Sequence, residues 1–169
     1  GQMEPANELL EYEGFPVTSL NERCYENFPS LLKHLMYLGM GRKTINWLDS
    51  LEEKPLALIL YSGYSPYMMR LKKWCVKNNV KLIFDAVEWY EASSSISKYF
   101  SPYYLNISLA MNYLSTRLDG VICISSYLQR YYEGKAIKTV LIPPTLDHKK
   151  ILPDLSVKGS NTLKLGYTG

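Results

Sequence analysis

Short uncharged runs of aliphatic and β-branched residues alternate along this chain with stretches of helical period. Leu56–Leu60, Leu82–Phe84, Val121–Ile124 and Val140–Ile142 are four such runs, each closed by turn or cap residues, and each predicts a strand covered on both faces. Between them the period changes. Ser65-Pro66 supplies a cap and a first-turn proline, after which Met68, Leu71 and Cys75 share one helical face and Arg70, Lys73 and Lys77 lie away from it. Ser101-Pro102 repeats that opening, and Tyr104, Ile107, Met111, Leu114 and Leu118 line one side of a helix ending at Leu118.

The stretch from Asp119 to Asp147 is a complete βαβ unit with its stops. The Asp119-Gly120 turn leads into Val121–Ile124, and Ser126 with Gln129 has the spacing of a capping box. Gly134 is expected to be the left-handed residue that ends the helix. After the next strand, Pro143-Pro144 forces the chain out of the sheet, because proline has no N–H for a ladder. Upstream, Leu31, Leu35 and Leu38 predict helix within Asn27–Ser50, broken at Gly39-Met40-Gly41, whereas Gly1–Glu26 has no strong period and reads as irregular. Strand–helix alternation of this kind predicts an α/β, doubly wound parallel sheet with right-handed crossovers.

Composition narrows the function classes. A chain of 169 residues, 47% of them hydrophobic, buries one core, and 19 basic against 16 acidic residues leave +3, with the signs interspersed. That charge is too weak and too scattered to argue for nucleic acid, and the 15 tyrosines have no basic stripe between them. Cys24, Cys75 and Cys123 are odd in number, and two sit in apolar segments, which favours a reduced, cytoplasmic chain. Tyr99–Thr116 is the longest uncharged stretch, but Pro102, Asn106 and Asn112 interrupt it, so a buried helix is expected there rather than a membrane span. The same helix is apolar around its circumference, which also admits a face turned to a lipid-linked acceptor or to the membrane surface.

Ligands of doubly wound sheets bind beyond the carboxyl ends of the strands. Reading those ends gives Ser62-Gly63-Tyr64, Asp85–Trp89, Ser125 and Pro143–Asp147. Asp85 and Glu88 are the candidate catalytic groups, since carboxylates manage hydroxyl protons and stabilise cationic sugars; each also has a structural alternative as a helix cap or loop organiser. Trp89 and Tyr90 are candidates for stacking on a sugar, with a core lid as the alternative, and Tyr64 is a further candidate for binding substrate. Ser125 has the alternative of a strand-end cap. His34 and His148 are the only histidines and lie far apart, so no metal centre is expected. Gly39–Thr44 faintly echoes a phosphate loop but follows a helical run instead of a strand.

The Asp119–Asp147 tract resembles the linker side of the N-terminal domain of family 4 glycosyltransferases, in its Asp-Gly-Val-Ile-Cys-Ile-Ser strand, short helix and Ile-Pro-Pro-Thr-Leu-Asp exit. Val80–Trp89 is similar to the acceptor-facing strand and loop of bacterial polysaccharide-type members, Glu13-Gly14-Phe15 to the segment after their second strand, and Leu163–Gly169 to the first strand and glycine turn of their donor domain. The resemblance implies a Rossmann-like, incomplete N-terminal half of a GT-B enzyme. Residues 1–147 would be the acceptor-side domain without its opening strand and glycine loop, 148–162 the linker and 163–169 the start of the donor domain, with Gly169 at the donor. It also implies retaining transfer from a nucleotide-sugar to a glycan or lipid-linked acceptor, with no cofactor, at the cytoplasmic side of a membrane it touches peripherally. Relatives carry a histidine in the loop where this chain has Glu88. A free-standing flavodoxin-like binding or regulatory module, and an interaction domain that uses its tyrosines, are the alternatives.

Overall fold

The computed structural model describes residues 9–22, 29, 36–61, 63–89 and 101–145. Four parallel strands form its centre: β3 (Ala57–Tyr61), β4 (Lys81–Ala86), β5 (Gly120–Cys123) and β6 (Thr139–Leu141), hydrogen-bonded in that order. These overlap the four expected strands to within a residue or two at each end, with Leu56, Ile124 and Ile142 outside them and β4 running two residues past Phe84, so Asp85 lies within the strand instead of just beyond it. Ahead of the sheet stands a hairpin of β1 (Leu9–Tyr12) and β2 (Phe15–Thr18), where the sequence predicted irregular chain. Its two-residue loop has Glu13 and Gly14 both at positive φ, 50° and 85°, as a tight hairpin turn requires. Glutamate is a rare residue for the first of those positions, and its presence hid the turn.

The helices are α1 (Arg42–Ser50), α2 (Ser65–Asn78), α3 (Pro102–Leu109) and α4 (Ser126–Glu133). Residues 36–39 are also helical and stop where expected, at Gly41, whose φ of 93° breaks the run before α1. The single helix predicted from Pro102 to Leu118 changes pitch twice: α3 gives way to a π turn at Ala110–Leu114 and a 3-10 turn at Ser115–Arg117. The Ser115 hydroxyl bonds the Met111 carbonyl at 2.5 Å inside this stretch, a back-bond that bends helices.

Three caps differ from expectation: Ser65 is the first residue of α2 and not its cap, that position being held by Tyr64 without a side-chain cap bond, and the other two belong to α4. Ser125, not Ser126, caps α4, its hydroxyl accepting the Leu128 N–H at 3.3 Å. Gly134 follows α4 in right-handed conformation (φ −61°), and the left-handed residue is Ala136. The Ser101 cap with Pro102 behind it stands as predicted, as does the buried face of Met68, Leu71 and Cys75.

One face of the sheet carries the core. Leu60, Leu82, Phe84, Ala86, Val121 and Cys123 point to it and pack with Met68, Leu71 and Trp74 of α2, Ala110 and Leu114 of the π turn, and Leu128 and Tyr132 of α4. Consecutive strands progress in one direction across the sheet, and right-handed crossovers then place every connecting helix on the same side. The opposite face, with Ile59, Tyr61, Ile83, Asp85, Ile122 and Val140, has no helix over it among the described residues; Ile59 and Tyr61 are each 63% exposed. The architecture is therefore α/β with a parallel, Rossmann-like sheet, and the second helical layer of a doubly wound fold is not among the described residues.

Burial governs the ionisable groups of the core. It pushes the Cys75 and Cys123 thiols up to about 11. Tyr132 is fully buried and its phenol is pushed up to about 12, Ser115 offsetting burial only in part. Although Ser115 is near, the Tyr132 hydroxyl has no partner of hydrogen-bond geometry. Ser115 donates its hydrogen to the Met111 carbonyl, and no contact of hydrogen-bond geometry reaches the Tyr132 hydroxyl from Ser115 or any other described residue.

Candidate functional site

At the carboxyl edge of the sheet, β3 and β4 end beside the start of α2, and α3 lies across them. The space between is a pocket of about 320 Å³. Tyr61 and Asp85 are register partners on the open face at its rim, and Gly63 and Tyr64 come from the β3–α2 connection. Val87 and Glu88 enter from the loop after β4, and Tyr103, Asn106, Ile107 and Met111 from α3 and the π turn.

Gly63 is there because the backbone must pass close to the core. A Cβ at that position would meet the Ala110 Cβ at 3.2 Å and the Met68 sulfur at 3.3 Å. Tyr64 precedes α2 and stacks flat on Tyr37, with centroids 4.9 Å apart and planes 9° from parallel. Its side chain makes no cap bond, so the first N–H of α2 finds a partner elsewhere: Ser65 N donates to Asn106 Oδ1 at 2.9 Å. The Ser65 hydroxyl donates to the Asn106 carbonyl at 2.7 Å. Because only the amide oxygen can accept an N–H, this pairing fixes the side chain's orientation. It leaves Nδ2, a donor, without a partner among the described residues.

The two carboxylates behave differently from caps. Asp85, half-buried in β4, and Glu88, exposed beyond it, make no hydrogen bond or ion pair among the described residues. The pocket thus presents two acceptors, one oriented amide donor, three tyrosines and an apolar floor, with no lysine or arginine among the described residues of its lining. Such a set matches hydroxyl groups, which donate to carboxylates and accept from an amide. It does not suit a diphosphate, whose charge the carboxylates would repel.

Of the residues singled out in the sequence, Asp85, Glu88 and Tyr64 come together here. Trp89 does not reach the pocket: it turns to the core edge, 4.7 Å from the Tyr131 ring at 68° and 5.9 Å from the Tyr127 ring at 83°. Ser125 is occupied as the α4 cap, while Ser62, Tyr90, Gly169 and the segments 148–162 and 163–169 lie outside the described residues. Sequence reasoning missed Asn106 and Tyr103. An asparagine among apolar positions of α3 is the signal that marks the first; nothing distinguishes Tyr103 from its neighbours.

A second concavity, about 500 Å³, lies on the open sheet face around Gly120 and Ile122. It is rimmed by Lys138 and by the Lys81–Asp119 ion pair at 3.1 Å. The Gly39–Thr44 segment is also engaged internally: the Glu22 carboxylate accepts the Gly41 and Lys43 N–H groups at 3.0 and 2.7 Å and the Thr44 hydroxyl at 2.6 Å. No His, Cys, Asp and Glu cluster able to hold a metal occurs among the described residues, and none of their helices is long and apolar enough to cross a membrane.

No family model matches the chain, and comparison with curated proteins and with solved structures likewise finds no match.

Proposed function

We propose that this chain is the acceptor-side domain of a retaining, metal-independent glycosyltransferase of the GT-B type, and that the pocket at the ends of β3 and β4 receives a sugar hydroxyl of the acceptor. The observation that carries the reading is the convergence of Asp85, Glu88 and the fixed Asn106 amide beside Tyr61, Tyr64 and Tyr103. Carboxylates next to aromatic rings are the chemistry of saccharide recognition, and a carboxylate without a partner among the described residues is available to polarise an attacking hydroxyl or to face a cationic sugar. The two carboxylates at the pocket favour hydroxyl groups of the acceptor over the phosphates of the nucleotide-sugar. Donor phosphates belong to a second domain, of which 163–169 would be the beginning and Gly169 the donor turn.

The open sheet face supports the same reading. Parallel sheets are covered on both faces, so further polypeptide belongs over Ile59, Ile83 and Ile122, as in a doubly wound domain of that class. A glycan or a lipid-linked sugar is the acceptor class; the enzyme works at the cytoplasmic side of the membrane and needs no cofactor.

The test is turnover. The isolated chain transfers no sugar from any nucleotide-sugar, because catalysis needs both substrates held together. In the intact enzyme Glu88→Gln lowers turnover by about 3 kcal/mol of barrier, as loss of one electrostatic contact to a transition state does, with the melting temperature unchanged. Wild-type turnover in that variant removes Glu88 from the site.

A further inference from the structure

Aspartate is a poor strand residue, yet Asp85 lies in an inner strand of the sheet. β4 pairs with β3 on one side and with β5 on the other, and Asp85 stands in register between Tyr61 and Ile122 on the open face. Ladders on both sides hold its backbone, so the residue caps no described helix and organises no described loop. Its side chain is half-buried and makes no hydrogen bond or ion pair among the described residues. Asp119, an acid at the other end of the same sheet, is the contrast: it accepts the Leu82 N–H at 2.9 Å and pairs with Lys81 at 3.1 Å. The fold uses the charge of Asp119. A partly buried charge without a partner costs stability instead, and such departures from local rules mark functional positions.

The neighbour on the same face narrows the ligand. Adjacent strands lie about 4.8 Å apart, so Tyr61 is the side chain next to Asp85, and it is 63% exposed at the pocket rim. A carboxylate beside an exposed aromatic ring is a two-part receptor for an ammonium group. The carboxylate supplies charge and acceptors, and the ring quadrupole adds an attraction that a neutral hydroxyl does not feel. Glu88 and the Asn106 Nδ2 donor remain in the same pocket for hydroxyl groups.

We propose, on the reading of this pocket as the acceptor site, that the acceptor sugar is an amino sugar with its amine unacylated. Asp85 and Tyr61 hold the ammonium, and Asn106 and Glu88 meet the hydroxyls. An N-acetyl group would remove the charge and offer Asp85 only a neutral N–H, and charge-assisted hydrogen bonds are roughly twice as strong as neutral ones.

Calorimetric titration of the whole chain with glucosamine, N-acetylglucosamine, glucose and n-butylamine tests this, at about pH 6, below the range of an α-amino group. Glucosamine should bind at least about tenfold more tightly than glucose or N-acetylglucosamine. n-Butylamine, with no hydroxyls for Asn106 and Glu88, should bind more weakly than glucosamine. Asp85→Asn should bring glucosamine to the affinity of glucose and melt no lower than wild type, since the fold loses no partner. Tyr61→Leu should cut the preference by about threefold. Asp119→Asn removes the same charge at the far end of the sheet and should keep the preference. Equal affinity for the three sugars overturns the proposal and leaves the pocket as a site for neutral sugars. A preference that survives Asp85→Asn or is lost equally in Asp119→Asn, or n-butylamine binding as tightly as glucosamine, overturns it too. Binding of no sugar at all removes the acceptor reading of the pocket, and the proposal with it.

Discussion

Ser65 and Asn106 hold each other through two hydrogen bonds, amide to side chain at 2.9 Å and hydroxyl to carbonyl at 2.7 Å. The contact joins the start of α2 to α3 across 41 positions of sequence and sets one wall of the pocket. Ser65 is buried, so an unpaired N–H there is costly. Asn106→Ala should lower stability by about 2 kcal/mol. Asn106→Asp keeps an acceptor for Ser65 and should recover most of that loss while replacing the donor that faces a ligand. Chemical denaturation of both variants checks the pair; equal losses would show that the Ser65 bond does not carry the effect.

Ser125 and Ser126 are separable by the same measurement. Ser125→Ala removes the bond to Leu128 and should cost about 1 kcal/mol. Ser126→Ala, at an exposed position with no cap bond, should cost less than about 0.5 kcal/mol. The reverse order would restore the capping box that the spacing to Gln129 predicts.

Tyr132 offers a case in which deletion is expected to help. Its hydroxyl is buried without a partner of adequate geometry, and removing an unsatisfied polar atom while keeping the ring relieves a desolvation penalty. Tyr132→Phe should raise stability by about 1 kcal/mol. A loss of similar size would show that Ser115 and Tyr132 do share a hydrogen bond.

The strands were legible because a buried parallel strand needs a run of apolar residues, and Leu82–Phe84 or Val121–Ile124 has no other use for one. The helix faces followed from period alone, as Met68, Leu71 and Cys75 show. What escaped has identifiable causes. The capping-box spacing to Gln129 selects Ser126, whereas the backbone, extended at Ser125, makes the earlier serine the cap. The change of pitch at Ala110–Leu114 leaves no mark in a sequence whose apolar period fits either winding. At the site, strand ends pointed to Asp85 and Glu88, but Asn106 arrives from an element more than fifteen residues further on, through packing that no local pattern records. Trp89 was eligible for ligand or core, the core lid being the commoner use of an aromatic after a strand, and the nearby rings of Tyr127 and Tyr131 place it at the core edge.

Asp119 contributes a pH dependence of definite sign. Its carboxyl is held below the ordinary value first by the hydrogen bond it accepts from the Leu82 N–H at 2.9 Å, then by Lys81 at 3.1 Å. A depressed carboxyl stabilises the fold above its unfolded pKa of about 3.9 and loses that contribution as pH falls through the folded value. The stability difference between wild type and Asp119→Asn should therefore be constant from neutral pH to about 5 and shrink below about 4. The group is well exposed, so the difference should stay under about 1 kcal/mol. A difference that grows on acidification would contradict the assignment.

The central claim is that the pocket at the ends of β3 and β4 recognises sugar hydroxyls. The most direct measurement is an amide-resolved magnetic resonance titration of the chain with neutral oligosaccharides and, separately, with a nucleoside diphosphate. The account predicts saccharide-dependent shifts at Gly63, Tyr64, Asp85, Glu88 and Asn106 that disappear in Asn106→Asp, with little response there to the diphosphate. Shifts confined to the open sheet face around Ile122, or a pocket that answers the diphosphate and ignores every saccharide, would contradict it.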